Sequence, residues 1–214
     1  MLVTPPSSTL SARKSGLYYP NRFGRILFLA LKEVMGEHGL EATLELANLR
    51  ALANPLPPDD LERTIDFAAL SALNLALDEM YGGRGGRGMA LRAGRAWLVK
   101  GMNRFGALSG VTDPAFRAQP IEERLHAAFK GLAAAFTSFS DQKCSLEETP
   151  ASHRFIVENS AMCWGQEAER PICHPIVGLL QETARYASNG RDFTVREIQC
   201  RAAGAEHCVF VVNR

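Results

Sequence analysis

Four side chains in the last quarter of the sequence have the types and spacing of a metal site: Cys173, followed by Glu197-x2-Cys200-x7-Cys208. Thiolates and a carboxylate are suitable zinc ligands, and four of them fill a tetrahedral shell. A shell closed in this way leaves no position for water, so such a site is structural rather than catalytic. Cys200 and Cys208 lie on the two sides of a predicted hairpin turn, which brings them close in space. Glu197 and Cys200 are harder to join. Residues three apart on an unbroken strand point to opposite faces, so the strand must twist or end between them. Spacing alone leaves two competing readings open: reduced thiols buried on the core face of a hairpin, and a Cys200–Cys208 disulfide, disfavoured in a reducing compartment.

Other chemistry-bearing groups are less concentrated. The run Gly82–Gly88 (GGRGGRG) resembles a phosphate-cradling loop, but it follows a helical pattern and lacks the Lys-Ser/Thr ending of a nucleotide loop. It reads as a turn with solvated arginines, although Arg84, Arg87, Arg92 and Arg95 could form an anion-binding patch near a helix start. His38, His126, His153, His174 and His207 are scattered, and only His174 and His207 adjoin cysteines of the candidate cluster. No Gly-x-Ser-x-Gly elbow is present and no Gly-x-Gly-x-x-Gly follows a strand, so neither a serine hydrolase nor a nicotinamide cofactor site is visible. Trp97, Phe105, Phe129, Phe136, Phe139, Phe155 and Trp164 fall on elements that should face one another, either as an apolar pocket or as ordinary core.

The elements that must position these groups change in texture near residue 140. Before it the pattern is helical and rich in Ala and Leu; after it short β-branched and aromatic runs alternate with turns, which predicts an α+β arrangement. Residues 1–15 read as a loose tail. One helix is expected from Asn21 to about Gly36 and a short one after Gly39. A long one should run from Asp59 or Asp60 to Met80, then one from Met89 to Leu108 and one from Ile121 to Phe139. Strands are expected at Lys143–Glu148, His153–Glu158, Phe193–Gln199 and Cys208–Val212, with a helix over Cys173–Ala187. The 24 Lys and Arg nearly balance the 23 Asp and Glu in this 214-residue chain, which argues against a general nucleic-acid binder. The longest strictly apolar run, Ile26–Leu31, is far short of a membrane span, and the polar start lacks a signal-peptide core, so a cytoplasmic protein is expected. The odd number of cysteines, five, with none before Cys144, fits metal binding or reduced thiols better than a disulfide scaffold.

The C-terminal motifs carry a resemblance. Pro171-Ile-Cys173-His-Pro-Ile-Val-Gly178, then Val195-Arg-Glu197-Ile-Gln-Cys200-Arg-Ala-Ala-Gly204, then Cys208-Val-Phe210, resemble the 4-vinyl-reductase domain family of hydrocarbon-binding proteins and sensor domains. The front end, Tyr18-Tyr-Pro-Asn-Arg-Phe-Gly24 through Val34-Met-Gly36, is similar to the helical front of such proteins. The resemblance implies one domain over residues 16–214, divided into a helical front (16–140) and an α+β half (141–214). It implies the fold shared with TRAPP vesicle-tethering subunits: a helical layer on a twisted antiparallel sheet, commonly a homodimer. It also implies a structural zinc on Cys173, Glu197, Cys200 and Cys208, and a small hydrophobic ligand (aromatic, acyl or tetrapyrrole) in a pocket near Phe155 and Trp164. The interval from Cys173 to Glu197 looks one residue longer than in the family's phenol sensors, an insertion placed in the Ser188-Asn189-Gly190 turn. A binding role as carrier or sensor is favoured over the alternative, a 4-vinyl reductase or accessory protein in bacteriochlorophyll synthesis, because the sequence shows no hydride donor site or acid/base pair.

Overall fold

The computed structural model describes residues 14–105, 113–149 and 151–213. Strand β1 (Tyr18–Pro20) leads into helix α1 (Asn21–Leu46), which bends at Gly36, where φ is 79°. Only glycine adopts that backbone cheaply, so the two helices expected on either side of Gly36 form as two lengths of one element. Strand β2 (Arg63–Asp66) pairs antiparallel with β1, Tyr19 opposite Ile65. The sequence placed Leu61 and Ile65 on a helix starting near Asp59. In the structure helix α2 (Phe67–Phe105) starts only after β2. Pairing with β1 buries Ile65, which overrides its helical spacing. Asp66 then caps α2, its Oδ1 accepting the Ala68 N–H at 2.8 Å, and Oδ1 also accepts the Ser15 hydroxyl at 2.7 Å. Ser15 is thus tied to the fold; residues 1–13 of the expected tail lie outside the described residues.

The glycine-rich run departs from expectation more sharply. Only Gly82 leaves the helical region (φ 69°, ψ 159°), and the helix resumes at Gly83 instead of waiting for Met89. Leu108, where the sequence pattern ends that helix, lies outside the described residues. After the short helix α3 (Pro114–Arg117) comes α4 (Ile121–Phe139), whose Leu125, Phe129, Leu132 and Phe136 form its buried stripe.

The second half builds an antiparallel sheet of β3 (Cys144–Thr149), β4 (Ser152–Val157), β5 (Val195–Gln199) and β6 (Cys208–Asn213), in the order β3-β4-β6-β5. The fold is α+β. Along β4 the side chains of His153, Phe155 and Val157 are buried and those between them half-buried, the alternation of a sheet with one covered face. Helix α5 (His174–Ala187) packs on α2 and also touches α4 and β5. The α2–α5 crossing is set by two glycines. A Cβ on Gly178 would stand 2.0 Å from the Leu91 carbonyl oxygen, and one on Gly94 would stand 2.0 Å from that of Pro175. The backbones therefore touch, and the start of α5 is pinned to the middle of α2.

Candidate metal centre and clefts

The three expected cysteines meet at the ends of three elements. Cys173 directly precedes α5, Cys200 directly follows β5, and Cys208 opens β6. The objection to Glu197 and Cys200 sharing a neighbourhood is resolved locally. The register against β6 shifts between Glu197 and Gln199, and β5 ends before Cys200. A single helical turn, Arg201–Ala203, then closes on Gly204 at φ 87°, which returns the chain to Cys208.

A fourth thiol joins them that sequence reasoning left without a role. Cys163, in the loop after β4, has its Sγ 3.6 Å from that of Cys208. The Cys173 Sγ lies 3.9 Å from that of Cys200 and 3.8 Å from that of Cys208, and Cys208 and Cys200 are 4.0 Å apart. All four are buried and free of disulfides. The sulfurs of a tetrahedral zinc site with Zn–S near 2.3 Å stand about 3.8 Å apart. The cluster therefore has the size to hold such an ion, whereas a disulfide needs about 2.05 Å. The one signal that could have found Cys163 was its place ten residues before Cys173.

Glu197 borders the cluster. Its Oε2 accepts the Cys173 N–H at 2.8 Å, while its Oε1 is buried without a hydrogen-bond partner. Burial, then the neighbouring Cys200 sulfur, pushes this carboxyl up to about 9. The Cys200 thiol is pushed the other way, far below its ordinary value, because the Cys163, Cys173 and Cys208 thiols surround its sulfur. Burial holds Cys173 well above the usual thiol range. Four close sulfurs cannot all ionise unaided, and a cation is the group that reverses this.

The loops carrying Cys163 and Cys173 are clamped from α2. The Asn74 side-chain amide donates to the Met162 carbonyl at 3.1 Å and to the Ile172 carbonyl at 2.9 Å, the residues just before the two cysteines. The Arg201 N–H points at the Cys208 sulfur at 3.4 Å, and the Ser160 hydroxyl lies 3.3 Å from that of Cys173. Such outer contacts orient metal ligands.

The apolar space lies elsewhere. A cleft of about 70 Å³ sits among four helices, walled by Phe23 and Ile26 of α1, Trp97 and Leu98 of α2, Phe136 of α4 and Leu179 of α5. Gly101 and Gly131 also line it, and neither has an atom within 4 Å of where a Cβ would be. Neither Phe155 nor Trp164 is part of this wall. Phe155 is fully buried on β4, opposite Leu146 and Phe210 on the adjoining strands, and Trp164 is half-buried against the core. Among the histidines, His153 and His126 both meet Glu148, at 2.9 and 3.0 Å. Among the described residues no helix is long and apolar enough to cross a membrane.

Residues 153–214 match the 4-vinyl-reductase domain model, over the stretch that holds all four thiols. No curated protein matches the chain. Among solved structures, the phenol-responsive sensory domain of the transcription activator PoxR, with phenol, is similar at 20% identity and a TM-score of 0.51, covering 71% of this chain and 77% of that one. An H-NOX protein from S. oneidensis in the Fe(II)NO state is similar at 13% identity and a TM-score of 0.56, covering 89% and 98%. A point mutant of T. tengcongensis H-NOX is similar at 11% identity and a TM-score of 0.57, covering 91% and 96%. These likenesses are of fold.

Proposed function

We propose, from a chain whose residues 153–214 match the 4-vinyl-reductase domain, that it binds a small hydrophobic ligand as a carrier or sensor and carries a structural zinc. The observation that carries the ligand reading is the apolar cleft between α1, α2, α4 and α5, whose walls are aromatic and aliphatic. The PoxR sensory domain, solved with phenol, supports the class of ligand. The cleft's 70 Å³ is about half the roughly 150 Å³ of an apolar cavity that takes benzene. A single ring or an alkyl chain therefore fits with modest parting of the helices, and a tetrapyrrole is the least suited of the three expected cargoes. Each buried CH₂ contributes about 0.8 kcal/mol, so a six- to eight-carbon ligand gains about 5–6 kcal/mol, an affinity of tens to hundreds of micromolar without a charge partner.

Gly131→Leu tests this reading. Leucine fills open space in the cleft and replaces a helix-interior glycine, so the fold should gain up to about 1 kcal/mol in stability. Titration with phenols and medium-chain acids, followed by Trp97 fluorescence, should saturate in the unsubstituted chain and fail in Gly131→Leu. No saturable response to any of them removes the ligand reading.

Zinc is supported by the sulfur spacing and by burial of all four thiols. Cys163, Cys173, Cys200 and Cys208 supply the shell in our reading, with Glu197 fixing the Cys173 amide; the ion would join the loop after β4, the start of α5 and the β5–β6 hairpin. Metal analysis of reduced protein never exposed to chelator should give about one zinc per chain.

A further inference from the structure

A second cleft, of about 660 Å³, opens between the restart of α2 after Gly82 and the start of α5. It shares no wall residue with the apolar cleft. Four arginines, all exposed, line it: Arg84 and Arg87 from α2, Arg170 from the segment before α5, and Arg196 from β5. Among the described residues none of the four makes an ion pair with a carboxylate, whereas Arg22, Arg63 and Arg185 elsewhere do. Two carboxyls stand nearby: Glu197 lines the cleft, and Asp78 is close enough to Arg170 to feel its charge, so the arginines still outnumber the acids. The chain is almost neutral overall, so this is a local concentration of charge rather than a general basic character. Its floor is apolar, formed by Pro171, Val177 and Val195.

The glycine-rich run builds this arrangement. A Cβ on Gly83 would come within 3.2 Å of the Arg170 Nη2, so the glycine lets that guanidinium lie against the backbone. The break at Gly82 starts a fresh helical segment at the rim of the cleft, and α5 starts in its wall at His174. Both helix starts add positive potential to the side-chain charge. Unbalanced like charges around one cavity repel, and a bound anion removes that cost. Guanidinium forks match the oxygens of phosphate and carboxylate, two bonds at a time.

We infer that this cleft binds a small organic molecule bearing two or more oxyanion groups, phosphate or carboxylate, with its carbon skeleton on Pro171, Val177 and Val195. The competing explanation is that the arginines only balance the thiolate cluster, since a divalent ion on four thiolates carries a net charge of about −2. The two differ in what the arginines do once the metal is in place.

Calorimetric titration of the metal-loaded full chain with inorganic pyrophosphate, citrate and a nucleoside diphosphate tests the assignment. Saturable binding of at least one is expected, tighter at low salt, and weaker by about tenfold or more in Arg84→Gln/Arg87→Gln with zinc content unchanged. Arg154→Gln, a control on the exposed side of β4, should leave binding intact. Which probe binds tightest separates phosphate from carboxylate recognition. Binding of none of them, binding unaffected by the double substitution, or loss of zinc from the double variant without any anion binding by the parent, each overturns the proposal.

Discussion

At the scale of single residues, the thiol of Cys163 is the one that, in our reading, would close a metal shell. It lies 3.6 Å from Cys208 Sγ, while the Glu197 carboxylate is already engaged through Oε2 with the Cys173 amide. Cys163→Ser should therefore lose zinc to a competing chelator, whereas Glu197→Gln should keep it with an affinity reduced about 10- to 100-fold, as for contacts that orient a ligand. The reverse result, zinc kept in Cys163→Ser and lost in Glu197→Gln, would give the fourth place to the buried Glu197 Oε1. Cys173, Cys200 and Cys208 were legible in the sequence because a helix start and a hairpin have local signals. Cys163 was not, because the loop from residue 158 to 173 has no period, and only tertiary folding carries its sulfur to the others. The pocket residues fared differently: Phe155 was expected in a pocket wall and lies in the sheet, outside the apolar cleft, because an alternating strand pattern says only that a side chain faces the core, not whether space remains beside it.

At the scale of elements, the α2–α5 crossing positions both the thiol cluster and the apolar cleft. Gly178→Ala places a methyl group 2.0 Å from the Leu91 carbonyl oxygen, closer than any atom tolerates, and backbone on both sides must part. The cost should be about 3 kcal/mol, at the upper end of overpacking, read as a lowered thermal midpoint and a lower zinc affinity. A fall in stability no larger than that of an exposed helical substitution would mean that the crossing relaxes cheaply. The family resemblance marked Gly178 together with Cys173, and the close crossing gives a physical reason for glycine there. Strand β2 and the continuation of α2 through the glycine run were not legible. Helical spacing at Leu61 and Ile65 competes with pairing to β1, and five glycines in seven residues give no local hint that only Gly82 departs from the helix.

At the scale of the whole molecule, the α+β class followed from the change of texture near residue 140, because hydrophobic period survives where contacts are invisible. Association is a matter of exposed surface, and Leu46, Leu75, Met80 and Val99, all helical, remain 37–44% exposed. In our reading the helical layer pairs two copies of the chain, and light scattering at micromolar concentration should give twice the chain mass; a monomer mass with no concentration dependence would refute it. One feature of α5 reaches across these scales. Cys173 stands at its start and Leu179, less than two turns on, lines the apolar cleft. In our reading the same helix serves both sites, and any steadying of it by a bound metal would appear in the affinity for the ligand. Thermodynamic linkage makes the traffic two-way: if stripping zinc weakens cargo binding by some factor, saturating cargo must tighten the hold on zinc by that same factor. The protein would then report, in how firmly it keeps its ion, whether its cargo is aboard.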